Sequence, residues 1–146
     1  MKLLIIVVGK ISSSAPENKI IQEYLKRIPW KVEIRELESE SNSKKIAEKM
    51  LKAIPKGFRA ILLDKDGRNY SSEEFTTHLN SLSNAGEGSI AFLIGGAEGF
   101  HRNIYTSIKD SISFGKMTYA HKLARIILVE QIYRVWAISN NHPYHK

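Results

Sequence analysis

The chain has 146 residues, a length typical of one domain. Hydrophobic residues make up 42% and charged residues 25%, which excludes a disordered or collagen-like chain. The absence of cysteine excludes disulfides, thiolate zinc sites and cysteine nucleophiles, and it favours a reducing compartment. A formal net charge of +7 makes a polyanion the first partner to consider.

The positive charge is concentrated near the end of the chain. Residues 101–146 carry seven basic and two acidic side chains, whereas residues 1–100 carry 15 and 13. Such an imbalance is typical of a basic, solubilising surface or of a face that binds an anion such as nucleic acid. Composition alone leaves both interpretations open.

No segment predicts export or membrane insertion. The apolar run Leu3–Val8 has six residues and ends at Gly9 and Lys10 without a small-residue cleavage pattern. No stretch approaches the roughly 20 apolar residues of a membrane span. We therefore expect a soluble, cytoplasmic protein without membrane contact.

The first part of the chain predicts strand, helix, strand and helix in turn. Leu3–Val8 has the unbroken apolar pattern of a strand buried on both faces. Pro16 suits the first turn of a helix, where its missing N–H costs nothing, and Pro29 ends that helix. Val32–Leu37 predicts a half-buried strand, and apolar spacing predicts a helix over Ile46–Ile54.

The middle of the chain continues this alternation. Arg59–Leu63 predicts a third strand, and Asp64–Gly67 is typical of a turn. Ser71 and Glu74 form the pattern of a capping box at the start of a helix. Ser89–Ile94 predicts a strongly apolar fourth strand.

The last part predicts a helix near 100–109, a short strand near 111–114, a long helix over about 121–138 and a polar tail. Strands that alternate with helices, two of them apolar throughout, indicate a parallel α/β sheet with helices on both faces. We expect residues 1–146 to form a single domain.

The loops after the strands are the places to look for a ligand, because ligands of open α/β sheets bind at the carboxyl ends of strands. No G-x-G-x-x-G follows Val8, which argues against a dinucleotide site. Gly95, Gly96 and Gly99 follow the fourth strand and indicate either a tight turn or a close backbone approach to a ligand. Phe114–Tyr119 mixes apolar and hydroxyl side chains, which suits an aromatic ligand with polar edges or a packed loop.

The polar tail carries His142 and His145, three positions apart with Pro143 between them. Without a third ligand nearby, the pair does not predict a metal site. The tail is either a frayed end or a set of groups for proton transfer and stacking. Along the last helix, Arg125, Glu130 and Arg134 indicate an exposed charged face, and Met117 before it indicates packing.

Taken together, these segments form four motifs in a fixed order: FLIGGAEG at 92–99, FGKMTYAH at 114–121, RIILVEQIYR at 125–134 and HPYHK at 142–146. With them the chain resembles the small bacterial large-subunit ribosomal RNA pseudouridine N3-methyltransferases of the SPOUT superfamily. Met1–Lys10 and Ile61–Asp64 match as well, so the resemblance covers nearly the whole chain.

The resemblance implies a homodimer with a C-terminal trefoil knot that binds S-adenosylmethionine and no metal. Its cofactor-binding positions fall on Leu63, Gly95, Phe114, Gly115, Lys116, Met117, Thr118 and Tyr119. The implied substrate is a pseudouridine in a stem-loop of the large-subunit RNA, methylated at N3 on the assembled ribosome. The tail of one subunit completes the site of its partner, so the candidate catalytic residues are His142, Tyr144 and His145, with Arg134 placing the RNA backbone.

Other functions remain to be weighed against this one. An enzyme of the same superfamily acting on another nucleotide would keep the cofactor site and change the substrate. An RNA-binding or ribosome-assembly factor without a cofactor is a second alternative. A Rossmann oxidoreductase is disfavoured because the glycine fingerprint is missing.

Overall fold

The computed structural model describes residues 1–146, which form one five-stranded parallel sheet in the order β2-β1-β4-β3-β5. The elements are β1 (Lys2–Val8), α1 (Pro16–Arg27), β2 (Lys31–Leu37), α2 (Ser43–Ala53), β3 (Arg59–Asn69), α3 (Ser72–Asn84), β4 (Ser89–Ile94), α4 (Asn103–Ser107), β5 (Ser111–Ser113), α5 (His121–Ser139) and a final 3-10 turn (Pro143–His145). The predicted parallel α/β fold is confirmed.

Two hydrophobic cores lie on opposite faces of the sheet. Alternate residues of the central strands point to opposite faces, so Phe92 faces one core and Leu93 the other. The larger core lies under α1, α3 and α5, and the smaller one lies under α2 and α4, where Met50 and Ile104 are buried. Strands covered on both sides need apolar residues throughout, which explains the unbroken runs of β1 and β4.

The order of the strands places a switch point between β1 and β4. The chain moves outward from β1 to β2, then crosses to the other side of the sheet for β3, β4 and β5. Loops that leave the carboxyl ends of β1 and β4 therefore diverge and leave a crevice between them. Val8 and Ile94 are the last residues of these two strands.

The predicted turn at Asp64–Gly67 is wrong, because β3 continues through it to Asn69. The register against β5 shifts between Leu63 and Arg68, so the extra residues are absorbed as an irregularity within the strand pair. A Cβ at Gly67 would lie 2.7 Å from the carbonyl carbon of Ile112. Glycine serves this close approach of two strands rather than a turn.

Two of the helix starts follow the predicted signals. The hydroxyl of Ser71 accepts from the Glu74 N–H at 3.0 Å, and the Glu74 carboxylate accepts from the Ser71 N–H at 2.8 Å. Pro16 is the first residue of α1, as predicted. The helix predicted near 100–109 is shorter and spans only Asn103–Ser107, because a bridge between Gly96 and Gly99 and a turn at His101 occupy the preceding residues.

Candidate functional site

A cleft of about 730 Å³ opens at the carboxyl edge of the sheet. Its walls come from Leu63–Asp66 after the regular part of β3, from Ile94–Phe100 after β4, and from members of Phe114–Ala124 after β5. Tyr105 of α4 closes one side. A cleft of this size with mixed apolar and polar walls suits an organic ligand of cofactor size.

Seven of the eight predicted cofactor-binding residues line this cleft, although they come from three separate parts of the chain. They are Leu63, Gly95, Phe114, Gly115, Met117, Thr118 and Tyr119. Lys116 is exposed and lies outside the lining. The structure therefore brings the predicted set together around one space, and contact with a cofactor stays a prediction.

Ser113, which the sequence did not single out, joins two walls of the cleft. Its buried hydroxyl lies 3.0 Å from the carbonyl oxygen of Lys65 and 2.8 Å from that of Gly115, and it accepts from the Gly115 N–H at 3.1 Å. Gly115 has a φ of +120°, which favours glycine. A serine two positions before such a glycine is the only sequence signal for this contact.

Met117 does not pack into the protein as predicted, because its side chain is 78% exposed. The loop between β5 and α5 lies at the mouth of the cleft, and no other element covers it. The thioether is therefore available to a ligand or to a partner surface, where flexible methionine side chains adapt well.

In the loop after β4, Gly95 leaves less room for a side chain than Gly96 does. A Cβ at Gly95 would lie 3.1 Å from the Gly99 carbonyl oxygen and 3.3 Å from Cδ1 of Phe100. A Cβ at Gly96 would meet nothing closer than Cγ1 of Val8, at 4.0 Å. A side chain at position 95 would therefore push the Gly99 backbone and the Phe100 ring aside by a few tenths of an ångström.

A tyrosine and an aspartate face each other at the rim of the cleft. The hydroxyl of Tyr105 donates to Oδ2 of Asp64 at 2.5 Å, and Oδ1 of Asp64 accepts from the Asp66 N–H at 3.3 Å. Burial, this hydrogen bond and the neighbouring carboxylates raise the pKa of Tyr105 well above its ordinary value. Tyr105 therefore remains a donor at neutral pH, a role that no sequence motif indicated.

Arg125 is not part of an exposed charged face, as had been predicted. Its side chain is 3% exposed, and Nη1 donates to Oε2 of Glu36 at 2.9 Å while Nη2 lies 3.4 Å from the Gly9 carbonyl oxygen. Burial opposes ionisation of Glu36, but the hydrogen bonds from Arg125 and the Ile11 N–H and the arginine charge outweigh it and lower the pKa. The pair fastens the start of α5 to the ends of β1 and β2.

The tail packs against the C-terminal half of α5 and is not frayed. Nδ1 of His142 accepts from the Tyr144 N–H at 3.2 Å, and the imidazole ring lies 5.2 Å from the Trp136 ring. The hydroxyl of Tyr144 lies 2.9 Å from Oε1 of Glu130 and 3.1 Å from the hydroxyl of Tyr24. Burial and these hydrogen bonds raise the pKa of Tyr144, so its phenol stays protonated at neutral pH.

Arg134 belongs to the same cluster. It donates from Nε and Nη2 to Oε1 of Glu130, at 3.2 and 2.7 Å, and its guanidinium lies 5.0 Å from the centre of the Tyr144 ring. The hydrogen bond to Glu130 raises the pKa of Arg134, which keeps it charged. Nη1 takes no part in the pair with Glu130 and can reach a further acceptor.

Comparison with known proteins bears on this geometry. The family model described as "Predicted SPOUT methyltransferase" matches residues 1–145. The chain belongs to the SPOUT methyltransferase family. Three relatives carry the name "Ribosomal RNA large subunit methyltransferase H". That of Carboxydothermus hydrogenoformans is 37% identical over 160 residues and 100% of both chains. That of Parabacteroides distasonis is 34% identical over 156 residues and 99% of both. That of Polynucleobacter asymbioticus is 38% identical over 126 residues and 85% of both.

Within one SPOUT methyltransferase chain, the predicted catalytic residues lie apart from the cleft. None of His142, Tyr144, His145 and Arg134 lines it. The cleft reaches α5 at Ala124, whereas the tail packs against the C-terminal half of α5 from Glu130 onward, about 9 Å farther along the helix axis. Within this chain, the predicted catalytic residues and the predicted cofactor-binding residues therefore do not form one site.

Groups of three or more histidine, aspartate or glutamate side chains that could hold a metal ion are absent from this SPOUT methyltransferase. No helix has both the length and the apolar composition needed to cross a bilayer.

Proposed function

We propose that this protein transfers a methyl group from S-adenosylmethionine to N3 of a pseudouridine in a stem-loop of the large-subunit ribosomal RNA, acting as a homodimer on the assembled ribosome. The observation that carries the proposal is the convergence of Leu63, Gly95 and the Phe114–Tyr119 loop on one cleft at the switch point of the sheet. The names of the relatives supply the class of RNA. A cytoplasmic location follows from that substrate.

The residues of the cleft fit S-adenosylmethionine. Leu63 and Phe114 offer apolar walls for an adenine ring, and Gly95 and Gly115 of the two glycine-containing loops line the same cleft. Thr118 adds a hydroxyl, and Met117 stands exposed at the mouth. When bound, the cofactor supplies an electrophilic methyl group on a sulfonium. The trefoil knot that the family resemblance implies is part of the proposal.

The tail would handle the proton at N3, which must leave before or during attack by the ring nitrogen. Tyr144 keeps its own proton at neutral pH and directs it to Glu130 or Tyr24, so it would hold the tail in place rather than accept the N3 proton. Nδ1 of His142 accepts from the Tyr144 N–H, so in the neutral imidazole the proton is on Nε2 and His142 acts as a donor. By elimination, we assign His145 as the acceptor of the N3 proton.

Arg134 would position the RNA. Two of its nitrogens hold Glu130, which fixes the guanidinium plane over Tyr144 and leaves Nη1 for a phosphate oxygen. Phosphate contacts of this kind set the position of a nucleic acid without reading its sequence. The arginine would thus place the target base relative to the tail.

The outward surface of α5 supports a homodimer. Leu123 is 50% exposed, and Tyr119 and Met117 next to it are also exposed. The helix is apolar around most of its circumference, which is typical of a helix covered on every side. If two copies paired across α5 in opposite directions, each tail would reach the partner's cleft.

The decisive experiment measures transfer of labelled methyl groups from S-adenosylmethionine to assembled ribosomes, with free large-subunit RNA alongside. We expect label on ribosomes, loss of that label when His142–Lys146 is deleted, and unchanged cofactor binding in the deletion variant. Ribosomes that carry uridine in place of the pseudouridine test the specificity. Label elsewhere in the RNA would favour another nucleotide as target, and failure to bind S-adenosylmethionine in calorimetry would favour a non-catalytic RNA-binding factor.

A further inference from the structure

We propose that the outward face of α2, continued by the residues that flank α4, is an RNA-binding surface separate from the cleft and the tail. It would hold phosphates of the strand that leads away from the target nucleotide. We call it the α2 lysine face. The inference rests on the proposed function, since it assumes that RNA is the polyanion.

The lysines of α2 and the turn after it all point to solvent. They are Lys44, Lys45, Lys49, Lys52 and Lys56. Glu48 is the single acidic side chain of the helix, and only Lys49 lies in an ion pair, with Glu40 at 3.5 Å. The positive charge of this helix is therefore largely uncompensated within the chain.

The segment around α4 adds positive charge from a distant part of the sequence. Arg102 precedes this helix and Lys109 follows it, and both are exposed. Helices α2 and α4 cover the same face of the sheet, where Met50 and Ile104 share one core. Arg102 and Lys109 thus join the α2 lysines on one side of the protein.

The opposite face of the sheet does not carry a comparable surplus. In α5, Arg125 and Arg134 are held by Glu36 and Glu130 of the same chain. Helix α3 has two glutamates in its first turn and no lysine or arginine. Helix α1, on this same face, has three basic residues, Lys19, Lys26 and Arg27, against two acidic ones, Glu17 and Glu23. The larger surplus of exposed basic side chains therefore lies on the side of α2.

The α2 lysine face is continuous with the cleft. A groove of about 230 Å³ separates the start of α2 from the loop after β4 and shares Gly96–Phe100 with the cleft wall. Ser43, the first residue of α2, lines this groove, and Asn42 caps the first turn, which contains Lys44 and Lys45. Lys52 lies about 12 Å beyond Lys44 along the helix axis.

The chemistry of this face favours RNA over a lipid surface. A helix that lies on a membrane needs exposed apolar side chains beside its lysines. Ile20, Met117, Tyr119 and Leu123, which are exposed large apolar residues, lie elsewhere, and the hydroxyl of Tyr105 in α4 donates to Asp64 at the rim of the cleft. The apolar residues Ala47 and Met50 of α2 are buried. A row of lysines without apolar neighbours is suited to phosphates.

The test compares three double variants that each remove two positive charges: K44Q/K45Q beside the groove, K52Q/K56Q at the far end of α2, and K2Q/K31Q as a control. Lys2 and Lys31 are exposed neighbours at the amino edge of the sheet, opposite to the cleft. Binding to ribosomes and to free large-subunit RNA is measured over a range of salt concentrations, together with methyl transfer and the Kd for S-adenosylmethionine.

We expect K44Q/K45Q to weaken RNA binding and raise the KM for RNA by about tenfold, and to flatten the salt dependence of log K by one to two units. K52Q/K56Q should have a smaller effect in the same direction, K2Q/K31Q almost none, and cofactor binding should be unchanged in all three. Equal loss in all three variants would mean a general charge effect and would overturn the proposal, as would three variants that bind RNA like the wild type.

Two further outcomes separate this inference from the proposed function. If the wild type binds RNA but methylates none, the proposed function fails while the binding titrations still decide the role of the α2 lysine face. If K44Q/K45Q loses binding to phosphatidylserine-containing vesicles and keeps full RNA binding, the face binds lipid and the proposal is overturned.

Discussion

Arg125 of α5 and Glu36 of β2 form an ion pair whose two members differ in their access to water. The guanidinium is 3% exposed, whereas the carboxylate is 30% exposed, at a distance of 2.9 Å. The Nε atom of Arg125 has no hydrogen-bond partner in the protein. The arginine therefore depends on Glu36 for compensation of its charge far more than Glu36 depends on the arginine.

This asymmetry predicts that E36Q destabilises the protein more than R125M. E36Q leaves a buried guanidinium beside a neutral amide, which costs about 2–4 kcal/mol of unfolding free energy. R125M removes the buried charge, fills a similar volume and leaves a carboxylate that water can reach, so we expect a cost of less than half of that. Chemical denaturation of both variants measures the two values.

The double variant E36Q/R125M serves as the control for this comparison. Because it contains no buried charge, its stability should return close to that of R125M. A double variant at least as unstable as E36Q would show that the carboxylate acts through Ile11 or through packing, and not by compensating Arg125.

The lowered pKa of Glu36 predicts an acid-sensitive stability. The contribution of the ionised group is fully present above the ordinary carboxyl pKa of about 4.5 and is lost as the pH falls through the lower pKa of the folded state. We expect the unfolding free energy to fall below pH 4.5 and to fall less steeply in R125M, where the ionised form has lost its partner. If R125M lost stability with falling pH as the wild type does, Arg125 would not be the cause of the lowered pKa of Glu36.

Sequence patterns predicted most of the fold because the elements of this chain carry local signals. Three local signals agree with the tertiary structure: the apolar runs of β1 and β4, Pro16 at the start of α1, and the capping box at Ser71. The turn predicted at Asp64–Gly67 was wrong because pairing with β5 overrides the preference of this segment for a turn. No local pattern could report that pairing, since β5 lies more than forty residues away.

The candidate site was predictable only in part, and for a physical reason. Strand-end loops can be located from the order of elements, and they converge on one cleft as expected. The burial of Arg125 and the contact of Tyr105 with Asp64 depend on side chains that meet across 89 and 41 positions. A charged residue in a helix gives no local sign of whether it faces solvent or the core.

Gly95 and Gly96 provide a matched pair for testing the wall of the cleft. G95A should weaken binding of S-adenosylmethionine by about tenfold, because its Cβ would push on the Gly99 carbonyl and the Phe100 ring and displace the loop. G96A should change the Kd less than twofold, since its Cβ would make only an ordinary van der Waals contact with Cγ1 of Val8 at 4.0 Å. Calorimetric titration measures both, and equal affinities would mean that the loop does not contact the cofactor.

The two tyrosines with raised pKa values predict an alkaline loss of stability. In the unfolded chain tyrosines ionise near their ordinary pKa of about 10, whereas Tyr105 and Tyr144 hold their protons to higher pH in the folded protein. The stability that these protonated groups contribute is therefore present below pH 10 and declines as the pH rises above it. Y105F and Y144F should each make the unfolding free energy decline less steeply between pH 9 and 11, as measured by chemical denaturation. If both variants declined as steeply as the wild type, the raised pKa values of these tyrosines would not be the cause.

The separation of the tail from the cleft predicts complementation between two inactive variants. One variant lacks His142–Lys146 and keeps its cleft, and the other carries G95A together with G115V, which puts a branched side chain at a φ of +120°, and keeps its tail. Either variant alone should be inactive. In a mixed dimer, the intact cleft of one chain meets the intact tail of the other, so one of the two composite sites works.

An equal mixture, unfolded and refolded together, should therefore recover about a quarter of the wild-type methyl transfer, since about half of the dimers are mixed and each has one working site. Mixing without subunit exchange is the control and should recover nothing. If the refolded mixture stays inactive while mixed dimers are present by mass, the tail acts within its own chain. It would then have to leave Glu130 and Tyr24 and move along α5 toward its N-terminal end to reach the cleft.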